Sequence, residues 1–324
     1  MADYRRIMQR YPRFASVIDF EAAGHGHSSA DANEFETDQD GRGDSYRHAQ
    51  QQPLVRLTGI RQLLSLGLNG PIPETPGPEL RVLDVLGGDG TIARAVASIC
   101  EVASNAGHWI LTGDIAGHMT AEALRYRVPA ICQPAQRLAL HDNTFDAVIL
   151  AYGTHHIPFA ERKAAYSEAW RVLKPGGCIV VHDFEQGGQV ARWFDEVVHR
   201  FTPGGHAYRH FTRSQLIRDL DAVGFEDASV EEMYDPFIVP GPNAESASDR
   251  LCAYVSQMYG LFGLRRRPGW RPELWRLMTE YMSYRDDPVA VVPEVTVIPQ
   301  ETSGHLAIMP RVALAGVAVK SHTP

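Results

Sequence analysis

Between Arg81 and Phe184 the chain alternates short apolar runs with stretches of helical periodicity. RVLDVL (81–86), WILTGD (109–114), PAICQ (129–133), DAVILAYG (146–153) and CIVVHDF (178–184) are apolar almost throughout. Such runs predict strands buried on both faces, as in a parallel sheet. Helices are predicted between them, from Thr91 to about Ala103, over Ala121–Arg127 and over Glu161–Leu173. The last is stopped by Lys174-Pro175-Gly176-Gly177, and Thr212-Arg-Ser-Gln215 reads as a capping box opening the helix QLIRDLDAVGF. Upstream, Leu54, Leu57, Ile60, Leu63, Leu64 and Leu68 recur at helical spacing, which predicts an amphipathic helix over 53–68. PIPETPGPEL follows with four prolines in ten residues, a stiff linker at the edge of the main domain.

The flanks read differently. Residues 1–78 are taken as an N-terminal arm and a cap helix. From Glu21 to Asp44 seven acids stand against the single base Arg42, among Gly24, Gly26, Gly41, Gly43, His25 and His27. That composition has too little apolar surface to fold alone, so the expectation is an arm, or a flap that orders over a bound ligand. Residues 79–235 form the core domain. Residues 236–290 break the alternation with SDRLCAYVSQMYGLFGL and PELWRLMTEYMSY, joined by Arg265-Arg266-Arg267, and are expected to be a helical insert acting as a lid. Residues 291–324 are expected to supply strands that complete the core sheet. The apolar helices of the insert also offer a face for a homodimer.

Composition narrows the functional classes. The 324 residues carry 31 Lys and Arg against 39 Asp and Glu, a formal net charge of −8. An acidic surface repels phosphate, which argues against nucleic acid or an anionic membrane as partner. The apolar run LAIMPRVALAGVAVK is broken by Pro310 and Arg311, and none reaches the length of a bilayer. Cys100, Cys132, Cys178 and Cys252 form no paired motif and read as reduced, mostly buried thiols of a soluble, cytoplasmic protein.

Chemistry concentrates in RVLDVLGGDGTIARAV. A strand running into a glycine turn and then a helix lets backbone N–H groups and the positive helix end approach a polar ligand. Asp114 ends the next strand, 24 residues beyond Gly90, where a carboxylate can accept both hydroxyls of a ribose. VLDVLGGDG, Asp114, AQRLALHDNTFDAVIL and EAWRVLKPGGCIVVHDF, in that order, resemble the class I S-adenosylmethionine-dependent methyltransferases over about 79–235. The resemblance implies a Rossmann-like, seven-stranded, mostly parallel sheet with helices on both faces. It also implies S-adenosylmethionine as cofactor, held by Asp84, Gly87, Gly88, Gly90 and Asp114, with Ala135, Gln136 and Tyr152 completing the site. Two positions depart from the family pattern. Leu86 stands where the turn usually has its first glycine, and Pro134 stands where an acid often precedes the adenine-side alanine.

The acceptor side is expected beyond the ends of the fourth and fifth strands. His155 or His156 is the candidate general base, and Tyr46, His182, Asp183, His206 and Tyr208 are candidates for lining the acceptor pocket. His155, His156, His182 and Asp183 are also metal-ligand types, but no spacing motif demands an ion and none is expected. The reading is a methyltransferase acting on a small-molecule acceptor, a secondary metabolite, with oxygen or carbon favoured over nitrogen. The alternatives are a cofactor-binding enzyme with another outcome, such as cyclisation, and a non-catalytic partner subunit.

Overall fold

The computed structural model describes residues 2–24, 42–99, 109–301 and 303–322. Most of the acidic arm, with His25 and His27, lies outside the described residues, as do Cys100 and the end of the first core helix. Helices α1 (Ala2–Met8), α2 (Pro12–Ala15), α3 (Arg42–Gln50) and α4 (Leu57–Gly67) precede the first strand. The core then follows as β1 (Val82–Asp84), α5 (Thr91–Ile99), β2 (Ile110–Asp114), α6 (Gly117–Arg125), β3 (Ala130–Cys132), β4 (Phe145–Leu150), α7 (Arg162–Val172) and β5 (Leu173–Asp183). After β5 come α8 (Gln189–Trp193), a π turn over Phe194–Val198, α9 (His199–Phe201), α10 (Arg213–Asp221) and β6 (Phe225–Tyr234). The remainder is β7 (Phe237–Gly241), α11 (Ala244–Met258), α12 (Phe262–Arg265), α13 (Trp270–Tyr281), β8 (Thr296–Pro299), β9 (His305–Met309) and β10 (Val312–Lys320).

Seven strands form one sheet in the order β3-β2-β1-β4-β5-β10-β6. The first five are parallel, and β10 runs antiparallel between β5 and β6. Successive strand residues point to opposite faces. Val82, Ile110, Ile149 and Val180 therefore pack with Ile60, Leu63 and Leu64 of α4 on one side. Leu83, Leu111, Val148 and Val181 pack with Phe14 and Tyr166 on the other. Both faces are covered, as the apolar runs required. The chain builds outward from β1 to β3 and then crosses back to β4, so the crevice opens where β1 and β4 end.

Three expectations change. The first twenty residues are part of the globule, because Met8, Tyr11, Phe14, Val17 and Ile18 are buried, and Ile18 bridges Leu140. The segment 291–311 does not join the core sheet. β8 and β9 pair with β7 in a second, three-stranded sheet, and only β10 completes the first. The insert is correspondingly mixed, since it opens with β7 before its helices. β6 had no counterpart among the predicted strands: EDASVE carries too few apolar residues, and only Met233 and Tyr234 at its end are buried with Phe225 at its start. Among the described residues no helix is long and apolar enough to cross a membrane.

The buried N-terminal segment gives a direct test. Phe14→Ala is expected to cost about 3 kcal/mol of global stability, read by urea denaturation, because the ring sits fully inside the second core cluster. A loss confined to a few tenths would show that the segment only rests on the surface.

Candidate active site

β1 ends on Asp84 and passes through Val85-Leu86-Gly87-Gly88-Asp89-Gly90 into α5. Gly88 and Gly90 have φ of 58° and 82°, in the left-handed region that suits glycine. A Cβ on Gly90 would stand 2.8 Å from Val128 Cγ1. Asp114, the last residue of β2, braces this turn: its Oδ2 accepts from the Gly88 N–H at 2.9 Å, and its Oδ1 from the Ala116 N–H at 2.8 Å. A carboxylate has lone pairs for further donors beyond these two. Gln133, just past β3, donates its N–H to Asp114 O at 2.9 Å and accepts from the Ala139 N–H at 2.8 Å, while its Nε2 is buried without a partner. Helix α3 is seated on the turn, with Thr91 Oγ1 2.9 Å from both Gln50 Oε1 and Asp89 Oδ1, and Arg94 joining Asp89 to the Gln50 carbonyl.

Asp84 is 1% exposed and its Oδ2 has no hydrogen-bond partner among the described residues. Burial, and then the neighbouring Asp114 charge, push its carboxyl well above the ordinary range. A glycine turn, a braced carboxylate and an unpaired buried amide donor are a fitting set for a nucleoside with a diol and an amino-acid tail.

Beyond β4 the chain turns through Tyr152 and Gly153 into the short 3-10 turn Thr154–His156. Tyr152 has φ of +63°, a strained conformation for a residue with a side chain. Thr154 Oγ1 lies 3.1 Å from the carbonyls of both Leu150 and His182, which ties the ends of β4 and β5 together. Asp183, the last residue of β5, is fully enclosed and accepts from the N–H groups of His155 and Phe184, each at 2.7 Å. His155 Nδ1 stands 2.9 Å from its Oδ2, and His210 Nδ1 stands 3.5 Å from its Oδ1. Burial works to raise this carboxyl, but the two histidines outweigh it and hold Asp183 well below the usual range. Asp183 is thus a fixed anion that orients His155 through Nδ1 and leaves its buried Nε2 without a partner.

Around His155 the rings of His156, His206 and His210 lie 4.2, 5.2 and 5.2 Å away, and Tyr208 is 4.4 Å from His156. His206 stacks on Phe194 at 4.3 Å, and Phe194 opens the π turn, a feature frequent at functional sites. His156 and Leu86 of the glycine turn each place an atom 3.9 Å from where a Cβ on Gly153 would stand. Among the described residues two groups, His155-His156-His206 and His155-Asp183-His210, bring metal-ligand atoms within 4.8 Å of one another. His182, which the sequence placed in such a set, belongs to neither and instead sets its Nε2 3.6 Å from Asp235 Oδ2.

His155, His156, Asp183, His206 and Tyr208 are therefore brought together, whereas Gln136 is drawn away. Its amide bonds the exposed Glu161, and Ala135 is packed into the core. Tyr152 lies against His182 at 4.7 Å and donates to Asp235 at 3.3 Å, on the acceptor side of the crevice. Tyr46 stands on α3 between Arg56 and the turn carboxylates Asp89 and Asp114. Asp183 is neither solvated nor open to an acceptor. Sequence reasoning missed Gln133, a polar residue closing an apolar strand, and the buried charges Arg56, Asp235 and Arg311. Nothing local marks these three, which meet only in the fold.

A switch-point crevice, a glycine turn braced by an acid ending β2, and a polar cluster beyond β4 and β5 are features that a class I S-adenosylmethionine-dependent methyltransferase requires. The chain carries a methyltransferase domain of that kind, and S-adenosylmethionine is its cofactor. Residues 83–181 match the family model of the methyltransferase domain. The chain is 26% identical over 203 residues to the demethylmenaquinone methyltransferase of Mycolicibacterium paratuberculosis, covering 63% of this chain and 73% of that protein. The same identity and length hold for the Mycobacterium tuberculosis enzyme of that name, with 71% of it covered. Among solved structures it is similar to a chain of the complex between the Haloferax volcanii Trm112 methyltransferase activator and a methyltransferase, with a TM-score of 0.51 and 14% identity, covering 88% of this chain and 97% of that one.

Asp84 yields a pH-dependent prediction. Its folded-state pKa is raised, so the charged form disfavours folding, and this penalty is absent at low pH and sets in as pH rises above the unfolded value of about 3.9. Asp84→Asn is expected to raise the melting temperature at pH 7, with the gain shrinking toward pH 4. Thermal scans across that range check it, and a constant difference would contradict the assignment.

Proposed function

We propose that the protein methylates oxygen or carbon of a small-molecule acceptor, a secondary metabolite, in the cytoplasm, with His156 taking the acceptor proton. The observation that carries this reading is the buried Asp183–His155 pair beneath His156. Bound S-adenosylmethionine supplies an electrophilic methyl on a sulfonium, so the protein has to align the acceptor and manage one proton. His156 is half-buried, and Tyr208 and His206 hold its ring. Positive charge arising on His156 is offset by the Asp183 anion, which acts through His155 as a positioning group. Asp84, Gly87, Gly88, Gly90, Asp114 and Gln133 hold the cofactor; Tyr46, Tyr152, His182, His206 and Tyr208 shape the acceptor side. The name of the mycobacterial relatives, demethylmenaquinone methyltransferase, supports a small-molecule acceptor.

Two variants separate binding from chemistry. Asp114→Ala is expected to weaken S-adenosylhomocysteine binding at least tenfold by calorimetry, since its carboxylate both accepts from ligand hydroxyls and braces the turn. His156→Ala is expected to leave that affinity within about twofold and to lower turnover about a hundredfold or more, followed as S-adenosylhomocysteine released from a panel of phenolic and activated-carbon acceptors. Undiminished turnover would remove His156 from the chemistry.

A further inference from the structure

Arg56 closes the short 3-10 turn Pro53–Arg56 just before α4, and it is 4% exposed. Its Nε donates to the Tyr254 hydroxyl at 3.3 Å, and its Nη2 lies 2.6 Å from Met258 Sδ. The guanidinium stands 4.7 Å over the Tyr152 ring and 5.8 Å over that of Phe237, and Tyr46 bonds it from α3. Phenols, a thioether and ring faces are its surroundings, and none of them is an anion. Among the described residues no carboxylate pairs with it.

The one carboxylate on this floor is committed elsewhere. Asp235 is fully buried, and its Oδ2 is paired with Arg311 Nη2. Arg311 Nε also donates to the Asp235 carbonyl at 2.9 Å, the Tyr152 hydroxyl donates to Oδ1 at 3.3 Å, and His182 Nε2 stands 3.6 Å from Oδ2. Two guanidiniums thus face one carboxylate, which is committed to Arg311, and Arg56 is left without an ion-pair partner among the described residues. A guanidinium stays charged in a protein, and burying one without an anion is strongly unfavourable even with aromatic faces beside it. Its planar fork suits two carboxylate oxygens.

The position says which molecules can reach it. Arg56 lies under Tyr152, past the end of β4, and beside Tyr46, while its charge is felt by Asp89 in the glycine turn. That is the junction between the cofactor turn and the acceptor side. We propose that Arg56 anchors a ligand carboxylate, carried by the amino-acid end of the cofactor or by the acceptor. The first source rests on the S-adenosylmethionine assignment and the second on the acceptor site.

The experiment compares wild-type protein with Arg56→Gln and Arg56→Lys. Each is titrated calorimetrically with S-adenosylhomocysteine and with 5′-methylthioadenosine, which lacks the carboxylate. A loss of tenfold or more for S-adenosylhomocysteine in Arg56→Gln, with methylthioadenosine unchanged and a smaller loss in Arg56→Lys, assigns the group to the cofactor. If both affinities hold, benzoate and acetate are added to the S-adenosylhomocysteine-saturated proteins. Thermal stabilisation of wild type but not of Arg56→Gln assigns the group to the acceptor. Equal loss of both nucleosides, or no difference in any arm, overturns the proposal. The melting temperature of the ligand-free protein is a further check: removing a surplus buried charge leaves it unchanged or higher, whereas a drop of several degrees marks a structural strut and also overturns it. Failure of wild type to bind either nucleoside would strike the cofactor assignment, and the benzoate arm, run on ligand-free protein, would still decide Arg56.

Discussion

A sheet covered on both faces leaves polar chemistry only at its edge, and this constraint organises the molecule. Four carboxylates stand at or just past the same ends of four strands: Asp84 on β1, Asp114 on β2, Asp183 on β5 and Asp235 after β6. Each meets a different environment, which separates their behaviour. Asp84 has a hydrogen-bond-free oxygen and is pushed toward its neutral form. Asp114 is braced by two backbone N–H groups, Asp183 is fixed as an anion by histidines, and Asp235 by Arg311. One side-chain type thus stands with an unpaired oxygen on β1, braces the glycine turn from β2, fixes a histidine ring at β5 and neutralises a guanidinium after β6. The assignment follows from neighbours, not from identity.

The histidine cluster beyond β4 and β5 is assembled from parts remote in sequence. His155 and His156 follow β4, Asp183 ends β5, Phe194 opens the π turn, and His206, Tyr208 and His210 lie in the following loop. Phe194, the first residue of the π turn, stacks on His206 and so joins the ring cluster to the element after β5. Tyr152 pays for its left-handed backbone through three restraints: His182 on its N–H, Asp235 on its hydroxyl and Arg56 on its ring face.

The additions to the core are built into its floor. α11 supplies Tyr254 and Met258 to Arg56, and Gln257 to the Ser45 hydroxyl of α3. α4 passes so close to the floor that a Cβ on Gly59 would stand 2.0 Å from Asp235 Oδ1. The matched methyltransferase domain spans 83–181, yet the buried charges of the floor come from Arg56, Asp235 and Arg311, all outside it.

The parallel core was legible because buried strands must be apolar throughout: RVLDVL, WILTGD and DAVILAYG announce themselves, and a glycine turn between strand and helix has few other uses. The ordered motifs led to the cofactor and to the histidines after β4. β6 was illegible because an edge strand with one wet face needs no apolar run, and the docking of 1–20 is not announced locally because its few apolar residues are buried against partners remote in sequence. That β9 leaves the main sheet while β10 enters it is settled by pairing partners, which an apolar pattern does not name. The same holds for Arg56: its sequence neighbours describe an amphipathic helix, and its meaning as a surplus charge arises only when α11, β6 and β10 close around it. Hydrophobic periodicity acts over a few residues and is written locally; the balance of buried charges is a sum over the whole fold.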